Sequence, residues 1–320
     1  MLAIVLFVLG IASPTRADVD GQLFILTSFP ETLFTRFQAA FEARHPRLRV
    51  HVRNSKTPAA ISLIQERASE PVDLIWVSAP DALEVLKESG HLVRLFDGSQ
   101  SDTQIGGYPL DDPDGYYRGF AVSGYGIMWN EAYLKRHGLP APSRWGDLRK
   151  PAYYRHIGIS APSRSGTTHV IVEIILQGQG WSEGWATLLE IGGNLATVTA
   201  RSYGVEEGVQ DGRLGIGLVI DFFGLSARAL GAPVDFVYPN MTSFLPASIA
   251  MVKRANNRAA AVAFIEFLLS PEGQRLLFEP EIRRLPVRRD LYKDAPPDYP
   301  NPFDPALVRK GIRFDNVISG

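Results

Sequence analysis

Apolar positions along this chain switch between two periods. QLFILTS, RLRVHVRNS and PVDLIWVS are short alternating or continuous runs, the pattern of strands buried on one or both faces. Between them, PETLFTRFQAAFEARH puts Leu33, Phe34, Phe37 and Phe41 on one helical face. TPAAISLIQERASE reads as a second helix, and PDALEVLKESG as a third stopped by Gly90. This strand–helix order predicts a mostly parallel sheet covered on both faces. The polar SQSDTQIGGYPLDDPDG reads as a surface loop and YYRGFAVSGYGIMWN as extended chain. A second series starts at RHIGISAP and runs through a helix at SGTTH, a helix over 181–191 and a strand at NLATVTA. It continues with a helix over 205–210 and an apolar strand in LGIGLVID. VDFVYP and LPASIAMV read as extended, NNRAAAVAFIEFLL as an amphipathic helix, and SPEGQRLLF as a restart capped by Ser270. Trp76, Trp181 and Trp185 read as packing residues. Two α/β series predict two lobes.

The first three strands share their punctuation: TSFP, SKTP and VSAP. A hydroxyl ahead of a first-turn proline suits a helix cap. Carboxyl ends of strands are also where open α/β sheets bind ligands. Thr27, Ser28 and Ser78 are therefore both cap and ligand candidates.

Composition narrows the field. Of 320 residues, 45% are hydrophobic and 21% charged, and the net charge is −1. That is a globular profile without the broad basic footprint of nucleic-acid binding, so any anion site is local. With no cysteine there is no disulfide or thiol chemistry, and the six histidines show no metal-binding spacing. No metal, cofactor or nucleic-acid partner is expected. The apolar run from Leu2 to Ala12 is too short to span a bilayer, which takes about 20 residues. With Thr15-Arg16-Ala17 as a cleavage-like site, residues 1–17 read as an export signal, although the basic start of such signals is missing.

The richest stretch chemically is PSRSGTTHVIVE. A helix start exposes unpaired N–H groups and partial positive charge. Here it is combined with the hydroxyls of Ser163, Ser165, Thr167 and Thr168, with Gly166, and with two cations, Arg164 and His169. Charge-assisted hydrogen bonds contribute about 1.5–3 kcal/mol each, so several could hold an anion in a preformed cleft. The stretch is neither a phosphate-binding Walker loop nor a hydrolase elbow. A triad of Ser165, His169 and Asp221 rests on helical spacing alone. Asp221 ends an apolar strand, where it could accept hydrogen bonds from ligand hydroxyls or cap the next helix. Tyr203 and Tyr238 are either cleft residues with a polar tip or core residues.

The signal-like start, SFPETLFTRFQAAFEARHP, VDLIWVSAPDAL and above all AAVAFIEFLLSPEGQ resemble periplasmic solute-binding proteins of ABC importers. They are most similar to the extracellular family that includes ferric-ion and phosphonate binders. The resemblance implies an α/β fold of the two-lobed periplasmic binding protein type (type II), each lobe a mixed β-sheet flanked by helices, with ligand in the cleft between them. Residues 18–118 and about 236–284 would form lobe 1 and 119–235 lobe 2, with 285–320 unassigned. Ferric-binding members carry adjacent tyrosines where this chain reads Asp221-Phe222-Phe223, and phenyl rings cannot ligate hard ferric iron. SRSGTTH, GLVIDFF and VYP are instead similar to the branch with phosphoglycerate-transport and hexose-phosphate-binding proteins. That resemblance implies a non-enzymatic, monomeric periplasmic binder of a phosphorylated metabolite. Its partner would be an ABC permease or a membrane sensor. Phosphate would sit on Ser165, Gly166, Thr167 and Thr168, with Ser28 and Ser78 reaching across, and His169 and Asp221 reading the organic part. The same fold also admits a carrier of ferric ion or of a small anion.

Overall fold

The first alternating series folds as its periodicity predicts. It forms β1 (Gly21–Thr27), α1 (Glu31–Arg44), β2 (Leu48–Asn54), α2 (Thr57–Gln65), β3 (Leu74–Val77) and α3 (Pro80–Glu88). The computed structural model describes residues 19–66, 70–78, 80–96, 104–315 and 318, so the expected export signal lies outside the described residues. β1 pairs in parallel with β2 and β3. On one face Leu33, Phe37 and Phe41 of α1 close over Leu23, Ile25 and Trp76. Edge-to-face rings of Phe29, Phe37, Trp76 and Phe120 fill that core at centroid spacings of 5.1–6.4 Å.

The segment read as a loop is partly a hairpin, β4 (Gln104–Ile105) and β5 (Tyr108–Pro109). Gly106 and Gly107 have φ of 59° and 82°, which the two central residues of a tight hairpin turn require. Ile105 and Leu110 anchor it by burial. Next comes β6 (Tyr117–Asn130), followed by α4 (Glu131–His137), β7 (Ile157–Ser160), α5 (Gly166–Gln179) and α6 (Trp181–Gly193). The chain continues through β8 (Leu195–Thr199), α7 (Ser202–Gln210), β9 (Ile216–Ile220), α8 (Asp221–Ala229) and β10 (Val234–Val237). It closes with β11 (Phe244–Met251), α9 (Arg258–Leu269), α10 (Pro271–Leu276), β12 (Leu285–Pro286) and α11 (Pro305–Val308).

The molecule has two lobes, each a mixed sheet flanked by helices, and β6 runs through both. Its first half pairs antiparallel with β11, which pairs in turn with β3. Its second half pairs with β9 and β10, and β9 adjoins the parallel strands β7 and β8. Backbones approach closely at this crossing: a Cβ at Gly126 would lie 2.1 Å from the Val237 carbonyl oxygen. The unassigned tail touches both halves. β12 pairs with β6 at Ala121 and Val122, while Phe314 joins the core around Trp145 and Ile171.

Of the tryptophans, Trp76 is core but Trp181 and Trp185 are not: they are 72% and 38% exposed. α6 turns Gly184, Thr187 and Ile191 inward instead. A Cβ at Gly184 would come within 2.9 Å of Leu176 Cα, so α5 and α6 meet through small residues and leave the tryptophans outside.

Candidate ligand-binding cleft

In the first lobe β1, β2 and β3 run in parallel and end at Thr27, Asn54 and Val77. In the second, β7, β8 and β9 run in parallel and end at Ser160, Thr199 and Ile220. One side chain ties these two edges together. The Arg284 guanidinium carbon lies 4.7 Å from the ring centre of Phe29, just past β1, and 3.9 Å from that of Phe222, just past β9. The carboxyl ends of both sheets therefore meet at Arg284, and most of the sequence-predicted site residues lie along these two edges.

On the first edge, Thr27 is fully buried. Its hydroxyl donates to the Trp76 carbonyl at 2.7 Å and accepts from the Phe29 amide at 3.2 Å, which shapes the turn. The Ser28 amide donates to Trp76 O at 3.4 Å, but its Oγ is buried with no hydrogen-bond partner. Ser78 is half-buried at the end of β3. The capping reading fails for the first two helices. α1 starts on Pro30 and α2 on Lys56, and neither has a side-chain cap. Thr27 turned back into the sheet to complete its own turn, so it could not also reach the helix.

On the second edge, α5 begins at Gly166 with Ser165 as its N-cap; Ser165 Oγ accepts from the Thr168 amide at 3.5 Å. Thr168 Oγ1 is hydrogen-bonded to Ser160 Oγ at the end of β7, and both residues are buried. These two hydroxyls hold the turn. The Gly166 and Thr167 amides are the first of the helix and have no intrahelical acceptor. Gly166 is exposed, lacks a positive φ, and a Cβ there would meet nothing within 4 Å, so the fold does not demand glycine and the space over the turn is open. Thr167 and His169 are half-buried beside it, and Arg164 is exposed. Tyr203 is 51% exposed, with the Arg201 guanidinium 5.8 Å from its ring centre.

Asp221 is fully buried at the start of α8. Its Oδ2 accepts from the Gly124 amide at 2.6 Å and the Tyr238 hydroxyl at 2.9 Å, and its Oδ1 from the Phe222 amide at 2.8 Å. Burial pushes its carboxyl up to about 6, against the pull of these donors and of Arg284. Tyr238 is therefore the core residue that orients Asp221. Burial also lowers Arg284 to about 10, with Asp221 opposing. Sequence reasoning missed Arg284 together with its stacking partners Phe29 and Phe222. EIRRLPVRRD reads as a solvated basic run, and no periodicity singles out the one arginine that turns inward.

Among the described residues no group of three or more His, Asp or Glu side chains could hold a metal ion. A cavity of 340 Å³ lined by Trp145, Gln179 and Met241 includes none of the predicted residues.

The sequence profile of bacterial extracellular solute-binding proteins matches residues 69–303. The chain is 32% identical over 267 residues to the phosphoglycerate transport regulatory protein PgtC of Salmonella typhimurium. That match covers 83% of this chain and 66% of the relative, just under two thirds of its length. Among solved structures, the periplasmic binding protein AfuA of Actinobacillus pleuropneumoniae, with fructose-6-phosphate bound, superposes with a TM-score of 0.78 at 20% identity. It covers 93% of this chain and 92% of AfuA. Iron-bound HitA of Pseudomonas aeruginosa gives 0.74 at 18% identity, covering 90% and 92%. At these identities the structural likenesses establish the two-lobed fold alone.

Proposed function

The chain belongs to the bacterial extracellular solute-binding proteins, and from that we propose that it is the periplasmic binding component of an ABC importer for a phosphorylated small metabolite. The solute is a sugar phosphate or a phosphoglycerate-like acid, held between the lobes without turnover. Closure gains the difference in affinity between contacts made by one lobe and contacts made by both. What supports this reading is the meeting of the two strand edges at Phe29, Arg284 and Phe222, with an unpartnered Ser28 hydroxyl on one edge and the open start of α5 on the other. Such a site offers main-chain amides and hydroxyls to a phosphoryl group, while Asp221 is held by its own donors in the core. Ferric iron fits poorly, because Phe222 and Phe223 offer no oxygen and Phe222 spends its face on Arg284.

Mass spectrometry of small molecules released from purified protein, followed by calorimetry with fructose-6-phosphate, phosphoglycerate, sulfate and Fe³⁺, tests the proposal. Saturable binding of a phosphate ester, with sulfate and iron weak, is expected. Tight Fe³⁺ binding with no response to phosphate esters would overturn it. A second reading, delivery of the solute to a membrane sensor rather than a permease, is favoured by the curated relative's being named a transport regulatory protein. Co-purification of the liganded protein with each candidate membrane partner separates the two.

A further inference from the structure

Arg284 is 2% exposed, yet its guanidinium is poorly supplied with acceptors. Among the described residues Nη1 donates to Ser123 Oγ at 3.3 Å, and Nε is buried with no partner. Two rings pack on the guanidinium, with its carbon 4.7 Å from the centre of Phe29 and 3.9 Å from that of Phe222. Hydrogen bonding is left to the edge of the plane, where the donors form a fork matched to two oxygens of one oxyanion. The nearby Asp221 does not meet this need: its carboxylate accepts from Gly124, Phe222 and Tyr238, and among the described residues it makes no hydrogen bond or ion pair with Arg284. The backbone holds the arrangement in place. The Arg284 amide donates to Leu277 O at 3.1 Å, and its carbonyl accepts from the Tyr299 hydroxyl at 2.6 Å. Arg283 adopts a left-handed φ of 46°, and Arg284 follows it into the interior. A buried guanidinium short of acceptors is costly to a fold that gains nothing else from it.

We propose that Arg284 is a solute-binding residue that takes an oxyanion group of the ligand edge-on while Phe29 and Phe222 clamp it from the two lobes. This rests on the reading of the cleft as a solute site and adds a charged recognition point separate from the α5 turn. The clamp needs a ring from each lobe, so the arginine is fully oriented only when the lobes meet, and capture of the anion is tied to closure. The oxyanion is either a phosphoryl group or a carboxylate.

Heteronuclear NMR of the Arg284 Nε–H resonance, assigned by its loss in Arg284→Lys, tests this directly. The whole protein is titrated with fructose-6-phosphate, phosphoglycerate, glycerate and inorganic phosphate. The resonance should shift on saturation, and Arg284→Lys, which keeps the charge but loses the fork, should weaken the same probe at least tenfold with an unchanged melting temperature. A response to fructose-6-phosphate and inorganic phosphate assigns the phosphoryl group; a response to glycerate and phosphoglycerate alone assigns the carboxylate. If Arg284→Lys unfolds the protein, the wild-type shift decides. A probe that binds while the Nε–H stays in place, or a resonance that no oxyanion moves, overturns the inference. A resonance moved by glycerate or inorganic phosphate in a protein that binds no phosphate ester would leave Arg284 in its role and remove the phosphorylated-metabolite reading.

Discussion

Asp221 shows how much a single position depends on what surrounds it. Its carboxyl, ordinarily near 3.8, is raised to about 6 by burial. Between those values the folded protein keeps a proton that the unfolded chain has released. The group's contribution to stability is therefore complete below about pH 4 and is lost as pH rises through about 6, by about 3 kcal/mol in total. Urea unfolding of the wild type and Asp221→Asn at acidic and neutral pH measures this. The wild type should lose stability relative to the variant as pH rises, and a constant difference would mean the carboxyl titrates normally. Thr167 is the complementary case, half-buried beside the α5 start with its hydroxyl outside the turn's own hydrogen bonds. Thr167→Ala should weaken a phosphate ester more than tenfold by calorimetry while the melting temperature holds. An unchanged affinity would move the phosphate elsewhere. Asp221 and the α5 turn were legible because strand ends and helix starts are marked in the chain. Arg284 was not, because inward and outward arginines look alike in a basic run.

Among the elements, the glycines at strand crossings and helix starts do opposite work. At Gly126 a Cβ would collide with the Val237 carbonyl, a backbone atom that cannot move without breaking the β6–β10 pairing. Gly126→Ala should cost about 1–3 kcal/mol or more in chemical denaturation. At Gly166 the added methyl meets nothing, and alanine is the better helix former. Gly166→Ala should fold at least as well as the wild type. If phosphate rests over the turn, the same variant binds phosphate esters more weakly, which the same calorimetry reads. Element types followed from periodicity almost throughout, down to Ser270, whose Oγ accepts from the Gly273 amide as its place before Pro271 predicts. The hydroxyl–proline motifs misled because the Thr27 hydroxyl is held in its own turn, donating to the Trp76 carbonyl and accepting from the Phe29 amide. The 104–109 hairpin was hidden by polar flanks, its two turn glycines being the only local trace.

For the molecule as a whole, the described chain passes between the lobes through β6, between β10 and β11, and in the tail between β12 and Phe314. Such links permit a hinge. Small-angle scattering should show the radius of gyration falling when a phosphate ester saturates the protein, and an unchanged profile would argue against closure as the binding step. Fold class, the order of elements and the two strand–helix series could be read from the chain, because period and punctuation are local properties of neighbouring residues. Which hydroxyls remain unspent, which tryptophans face out and which arginine is drawn between two rings could not be read there. Those depend on which distant segments arrive at the same place, here residues 29, 222 and 284, and their meeting depends on how the two lobes pack together.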